Sequence, residues 1–114
     1  MKLNLQSALS HFNLGNALFE LKRHEEALAS YDRAIAIQPD FAQAHHGRAT
    51  VLGTFELKRY EEALAACERA LALSSNLADA WHGRGNALNG LADQYTALSN
   101  RAAARRTAST TKAR

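Results

Sequence analysis

The sequence predicts an all-α fold, a stack of antiparallel helical hairpins with two clear units and a degenerate third. Three observations predict it. Residues 19–37, FELKRHEEALASYDRAIAI, return as residues 55–73, FELKRYEEALAACERALAL, with thirteen of nineteen positions identical. A second echo pairs AQAHHGRATVL at 42–52 with ADAWHGRGNAL at 78–88, again 36 residues apart. No segment shows the apolar–polar alternation of a half-buried strand, and a single proline in 114 residues leaves long helical runs uninterrupted.

Residues 1–7 read as an N-terminal extension, and the first unit takes residues 8–41. Leu9, Phe12, Leu14, Leu18, Phe19 and Leu21 recur at helical spacing and predict a helix over 8–21. Leu14, Leu18 and Leu21 are expected to satisfy its core side, leaving Phe12 and Phe19 for other work. Lys22-Arg23-His24 breaks the pattern, and Glu25-Glu26 opens a second helix, where acids meet the positive end of the helix dipole. Ala27, Leu28, Tyr31, Ala34, Ile35 and Ile37 form its apolar stripe, and Pro39 stops it because proline cannot continue a helix.

The second unit, residues 42–77, repeats this plan with one change. His11 to Ala27 spans sixteen residues, whereas His45 to Ala63 spans eighteen. Gly53-Thr54 accounts for the difference and predicts either a longer third helix or a longer turn after it. The third unit, residues 78–106, reads as a degenerate or capping hairpin. Its last helix, over 95–106, keeps Tyr95, Leu98 and Ala102 on one side and is otherwise polar. That arrangement suits a solvent-facing cap over Trp81, Leu88 and Leu91, since stacked repeats leave an apolar face open at each end. Residues 107–114, rich in Ser, Thr and bases, are expected to be disordered.

Composition excludes several classes of function. The net charge of +3 divides unevenly: residues 1–100 hold nine Lys or Arg against eleven Asp or Glu, and the last fourteen hold five bases and no acid. The body is therefore at −2 and the tail at +5. A tail without interleaved aromatics argues against a nucleic-acid partner, because single strands bind by stacking as well as by charge. No apolar run is long enough to span a membrane, and Gln6, Ser7, Ser10 and His11 interrupt any signal-peptide core. One cysteine, Cys67, cannot form an internal disulfide, so a cytoplasmic setting is expected.

No reaction centre emerges either. Among the five histidines no two are three or four residues apart, the spacing that sets two ligands on one helical face, so neither metal nor cofactor is expected. His11 and His45 share the register of Trp81, and His24 that of Tyr60, which are packing or turn positions. Cys67 replaces Tyr31 in register and is expected to act as a small buried hydrophobe. The pairs Glu25-Glu26 and Glu61-Glu62 repeat at helix starts, as dipole compensation requires. With no Gly-rich phosphate loop and no nucleophile elbow, the chain is not expected to be an enzyme.

The repeated positions resemble the tetratricopeptide repeat, whose pattern runs W-x-x-L-G-x-x-Y, then Ala, then an aromatic, then Pro. The first unit supplies His11, Leu14, Gly15, Leu18, Ala27, Tyr31, Ala34 and Pro39. The second supplies His45, Arg48, Ala49, Leu52, Ala63, Cys67 and Ala70, with Ser75 where proline would fall. The third supplies Trp81, Arg84, Gly85, Leu88, Ala97 and Ala104, but Arg101 sits where the aromatic belongs. The repeats look like the bacterial arrays attached to O-linked N-acetylglucosamine transferases, so a piece of a longer scaffold is one expectation.

The resemblance implies a right-handed solenoid whose first helices line a concave groove for a peptide or partner protein. By register that column holds Leu9, Phe12, Asn16 and Phe19, then Gln43, His46 and Thr50, then Asp79, His82, Asn86 and Asn89. A ligand for it carries an apolar side chain at one end and acidic or amide groups at the other, with Asp79 working against acids. The family's clamp for a chaperone C-terminal carboxylate is matched only at Asn16. Phe12, Gly47, Asp79 and Gly83 occupy its other positions. The transferases' asparagine ladder is matched only at Asn13. A homo-oligomer formed through the open repeat ends is the alternative function.

Overall fold

The computed structural model describes residues 5–54 and 56–112. Five helices follow one another: α1 (Leu5–Glu20), α2 (His24–Ile37), α3 (Ala42–Leu52), α4 (Tyr60–Leu73) and α5 (Ala78–Lys112), with no strand among the described residues. Consecutive helices pack as antiparallel neighbours, and α1 touches α3 as α3 touches α5, so the first helices of successive units form one layer.

Small residues set the spacing. Ala27 and Ala34 of α2 are fully buried, and their register mates Ala63 and Ala70 of α4 are 2% and 0% exposed. Methyl groups at these crossings let two helix backbones approach closely. The larger side chains fill what remains: Leu18, Leu28, Tyr31, Val51 and Leu52 form one buried cluster with Ala27, Ala63 and Ala87. Tyr31 enters because Gly15 and Gly47 carry no side chain; a Cβ on either would lie 2.7 Å from its ring.

Both hairpin turns close with the same bond. The Arg23 amide donates to the Leu18 carbonyl, and the Arg59 amide to the Leu52 carbonyl, each at 2.9 Å. The inserted Gly53-Thr54 lies inside the second loop, so the turn is longer and the helix is not. Thr54 braces it, its hydroxyl donating to the Val51 carbonyl at 2.9 Å and accepting from the Leu57 amide at 3.3 Å. Lys22 and Lys58 hold the same left-handed conformation, with φ of 61° and 51°. Arg23 and Arg59 then pair with Glu26 and Glu62, three residues on, at the start of the following helix.

Several expectations change. The first helix begins at Leu5 and ends at Glu20, so residues 5–7 of the expected extension are helical, and residues 1–4 lie outside the described residues. Of the three leucines assigned to the core of α1, only Leu18 is buried; Leu14 is 47% and Leu21 65% exposed. The largest correction concerns the third unit. The capping hairpin over 78–106 does not form: α5 runs unbroken for 35 residues, through the expected turn and through the segment expected to be disordered, as far as Lys112. Residues 113–114 lie outside the described residues.

The reason is local. Leu91-Ala92-Asp93-Gln94-Tyr95 contains no residue that stops a helix, and two bonds tie its end to the start of α4 and the loop before it. Gln94 Nε2 donates to the Lys58 carbonyl at 3.2 Å, and the Tyr95 hydroxyl to Glu61 at 3.1 Å. That hydrogen bond, with the Glu61 charge, raises the Tyr95 phenol above its usual range. Tyr95, Leu98, Trp81 and Leu88 consequently stay 58%, 55%, 53% and 40% exposed, and only Leu91 is covered.

Candidate functional site

A groove runs along the layer of first helices. Its first cavity, about 430 Å³, is walled by Phe12, Asn16 and Phe19 of α1, by Gln43, His46 and Thr50 of α3, and by Asp79. A second, about 390 Å³, continues past Phe19, His46, Thr50 and Asp79 to His82 and Asn86. Nine of the eleven side chains placed in the column by register line these cavities. Leu9 and Asn89 line neither; both are exposed, Leu9 to 48%.

At one end the groove is aromatic. Phe12 packs on Phe41 with ring centroids 4.9 Å apart and on Tyr31 at 5.9 Å. Phe19 leans on the His24 ring at 5.8 Å. Both phenylalanines pack against the buried cluster while facing the cavity, so each serves core and groove together. The Tyr31 hydroxyl donates to Asn16 Oδ1, which leaves the Asn16 amide group to the groove. Burial of Tyr31 pushes its phenol up to about 12, so the hydroxyl keeps its proton at physiological pH.

The other end is polar. His46 lies against Gly83, and Thr50 donates back to the His46 carbonyl at 3.0 Å. Cys67 forms part of the second cavity wall and is 1% exposed. Burial, then the Glu68 charge, raises its thiol pKa against the opposing pull of Arg84, which disfavours the thiolate a nucleophile needs. Among the described residues no three His, Cys, Asp or Glu side chains gather where a metal ion could sit. No described helix is long and apolar enough to cross a membrane.

Other histidines tie helices to turns. His45 Nε2 lies 2.9 Å from the Pro39 carbonyl, and at the same register Trp81 Nε1 donates to the Ser75 carbonyl at 2.9 Å. His24 sits between the hairpins, 3.7 Å from Glu56.

Register reasoning missed the groove's floor. Tyr31 and Cys67 come from second helices and reach the cavities through gaps left by Gly47 and Gly83. The signal was present as two glycines 36 residues apart. Residues 76–78, in the turn into α5, close the first cavity with no such signal.

Stacked helical hairpins around a continuous groove define a helical-repeat protein. Models of the tetratricopeptide repeat match residues 8–41 and 42–77. The chain belongs to the tetratricopeptide repeat family. Among solved structures, it is similar to the second such domain of Spaghetti (RPAP3) bound to the HSP90 peptide SRMEEVD. That match has 30% identity and a TM-score of 0.74, covering 84% of this chain and 87% of that one. The first domain of the same protein, bound to the same peptide, matches at 28% identity and TM-score 0.74, covering 78% and 69%. The second domain of human RPAP3, in complex with the HSP70 peptide SGPTIEEVD, matches at 29% and 0.71, covering 81% and 75%. No curated protein sequence matches significantly.

Proposed function

We propose that the chain is a non-catalytic protein-interaction module whose groove takes an extended peptide, neutral or basic, with an apolar side chain seated among Phe12, Phe19 and Tyr31. The observation that carries this reading is the lining. Side chains from three successive units make one trough, aromatic at one end and amide and imidazole at the other, and Asp79 is the formal charge common to both cavities. Similar domains bound to chaperone peptides support the general role. Those peptides end in acidic residues, whereas Phe12, Gly47, Asp79 and Gly83 stand here where the carboxylate clamp would need polar or cationic groups. An acidic tail would meet Asp79 without a compensating Lys or Arg in either wall, so of the acidic or amide groups expected at the ligand's polar end this proposal takes the amide and adds basic ones. A cytoplasmic setting is part of the same proposal.

The test is calorimetry with SRMEEVD and its charge-inverted counterpart SRMKKVK. The basic peptide should bind several-fold tighter, and Asp79→Lys should reverse the order. Phe12→Ala should weaken both by about 1–2 kcal/mol, as loss of an aromatic anchor does. Tighter binding of the acidic peptide to the unaltered chain, or indifference to Phe12→Ala at native helix content, would sink the reading.

A further inference from the structure

The first two units show which residues meet across a hairpin. Gly15 faces Tyr31, and Leu18 shares a cluster with Leu28. One repeat on, Ala49 clusters with Cys67, and Leu64 packs against the cluster that holds Leu52. The same register in the third unit pairs Gly85 with Arg101 and Leu88 with Leu98. Neither pair meets. A Cβ at Gly85 would have nothing within 4 Å, in contrast to the 2.7 Å at Gly15. Ala97 and Ala104, whose counterparts are buried in α2 and α4, face solvent. The third unit thus presents both halves of a hairpin interface, an open slot and the helix that would fill it, on one unbroken helix.

We propose that the slot is filled by a second copy of this chain. Two α5 helices pair antiparallel about a two-fold axis near residue 93, and the distal half of each supplies the second helix of the other's third repeat. The chain's own distal half is held away from its slot, because Gln94 and Tyr95 are tied to the Lys58 carbonyl and to Glu61 at the start of α4, and α5 has no break between them and Gly85. Antiparallel pairing restores the hairpin register in both directions at once, as an isologous interface requires. Leu88 meets Leu98, Gly85 admits Arg101, and Trp81 lies opposite Arg105, a cation over an aromatic face. Trp81, Leu88, Tyr95 and Ala102 recur every seven residues, the spacing of a helix–helix seam. Charge agrees: the body at −2 receives a tail at +5. The seam continues the packing already formed by α1 with α2 and α3 with α4. Trp81, Gly85 and Leu88 line neither groove cavity, so this proposal stands or falls apart from the peptide reading.

The experiment uses full-length chains carrying Cys67→Ala, with Leu88→Cys in one and Leu98→Cys in the other. Both leucines are solvent-exposed in the single chain, so the changes leave its fold intact. On mild oxidation the mixture should give a disulfide-linked dimer in large excess over either chain alone. A double variant with both cysteines should also crosslink between chains; a crosslinked monomer would mean the chain folds back on itself, and would overturn the proposal. Sedimentation of the unaltered chain should show a concentration-dependent species of twice 12.4 kDa, with Trp81→Ala raising the dissociation constant at least tenfold. A monomer at every concentration, or an oxidised mixture no richer in dimer than its components, would equally overturn it.

Discussion

The two complete hairpins are built from nearly the same nineteen residues, yet they are plugged differently. In the first, a tyrosine fills the gap between three helices, wedged against Gly15 and Gly47 with its hydroxyl on Asn16. In the second, Cys67 takes the same place beside Ala49 and Ala66, and a Cβ at Gly83 would sit 3.3 Å from its sulfur, against 2.7 Å at Gly47. The backbone plan therefore tolerates a large or a small plug, provided the facing position is small enough to match. The large plug meets glycine on both sides, and the small one meets glycine on one side and alanine on the other.

That comparison is broken most severely at the plug. Tyr31→Ala should cost about 3–5 kcal/mol, since it empties an aromatic-sized site that α1, α2 and α3 share. Cys67→Ala removes one sulfur and should cost about 1 kcal/mol. The reciprocal change follows the same logic: Gly47→Ala should cost about 1–3 kcal/mol by overpacking Tyr31. Denaturant unfolding of the three variants checks the order. Equal losses for Tyr31→Ala and Cys67→Ala would mean that the two plugs do the same work and volume is not what matches.

The turns sharpen the comparison at smaller scale. Four residues between Leu18 and Arg23 close the first loop in the same manner as six between Leu52 and Arg59 close the second. Deleting Gly53 and Thr54 together should convert one into the other and change stability by no more than about 1 kcal/mol, because loop closure depends only weakly on length. A loss beyond about 2 kcal/mol would show that the bracing by Thr54 is not replaceable.

Much of this was legible in the sequence because repetition carries register. The repeated block and the second echo placed the first four helices, and register brought together nine side chains that line the two cavities. The third unit was misread for the same reason. Ala97 and Ala104 keep the spacing of a second helix, but spacing alone does not turn the chain. Lys22 and Lys58 reach their left-handed conformation in the turns that return one helix along another, whereas α5 contains no such turn between Leu91 and Tyr95. Nor could spacing show that Phe12 would serve core and groove at once, since a single helical stripe looks alike from either side.

The smallest effect concerns the ion pair that opens α4. Glu62 accepts two hydrogen bonds from the Arg59 guanidinium, at 2.9 and 2.8 Å, and these, followed by the Arg59 charge, lower its pKa. Arg59 also approaches Glu25 of the preceding hairpin, at 3.8 Å, so the pair sits at the seam between units. A lowered carboxylate pKa means that the folded chain binds this proton less readily than the unfolded one. The associated stability is present above the ordinary glutamate value of about 4.3 and is lost as pH falls through the lowered one. Both partners are exposed, so water and salt screen most of the interaction, and unfolding experiments would read it poorly. Carboxyl NMR reads it directly: Glu62 should titrate below the ordinary glutamate value in the intact chain and move upward in Arg59→Gln. If Glu62 titrates alike in both, the fork of bonds from Arg59 does not hold in solution, and α4 starts on its helix dipole and the packing of Ala63 alone.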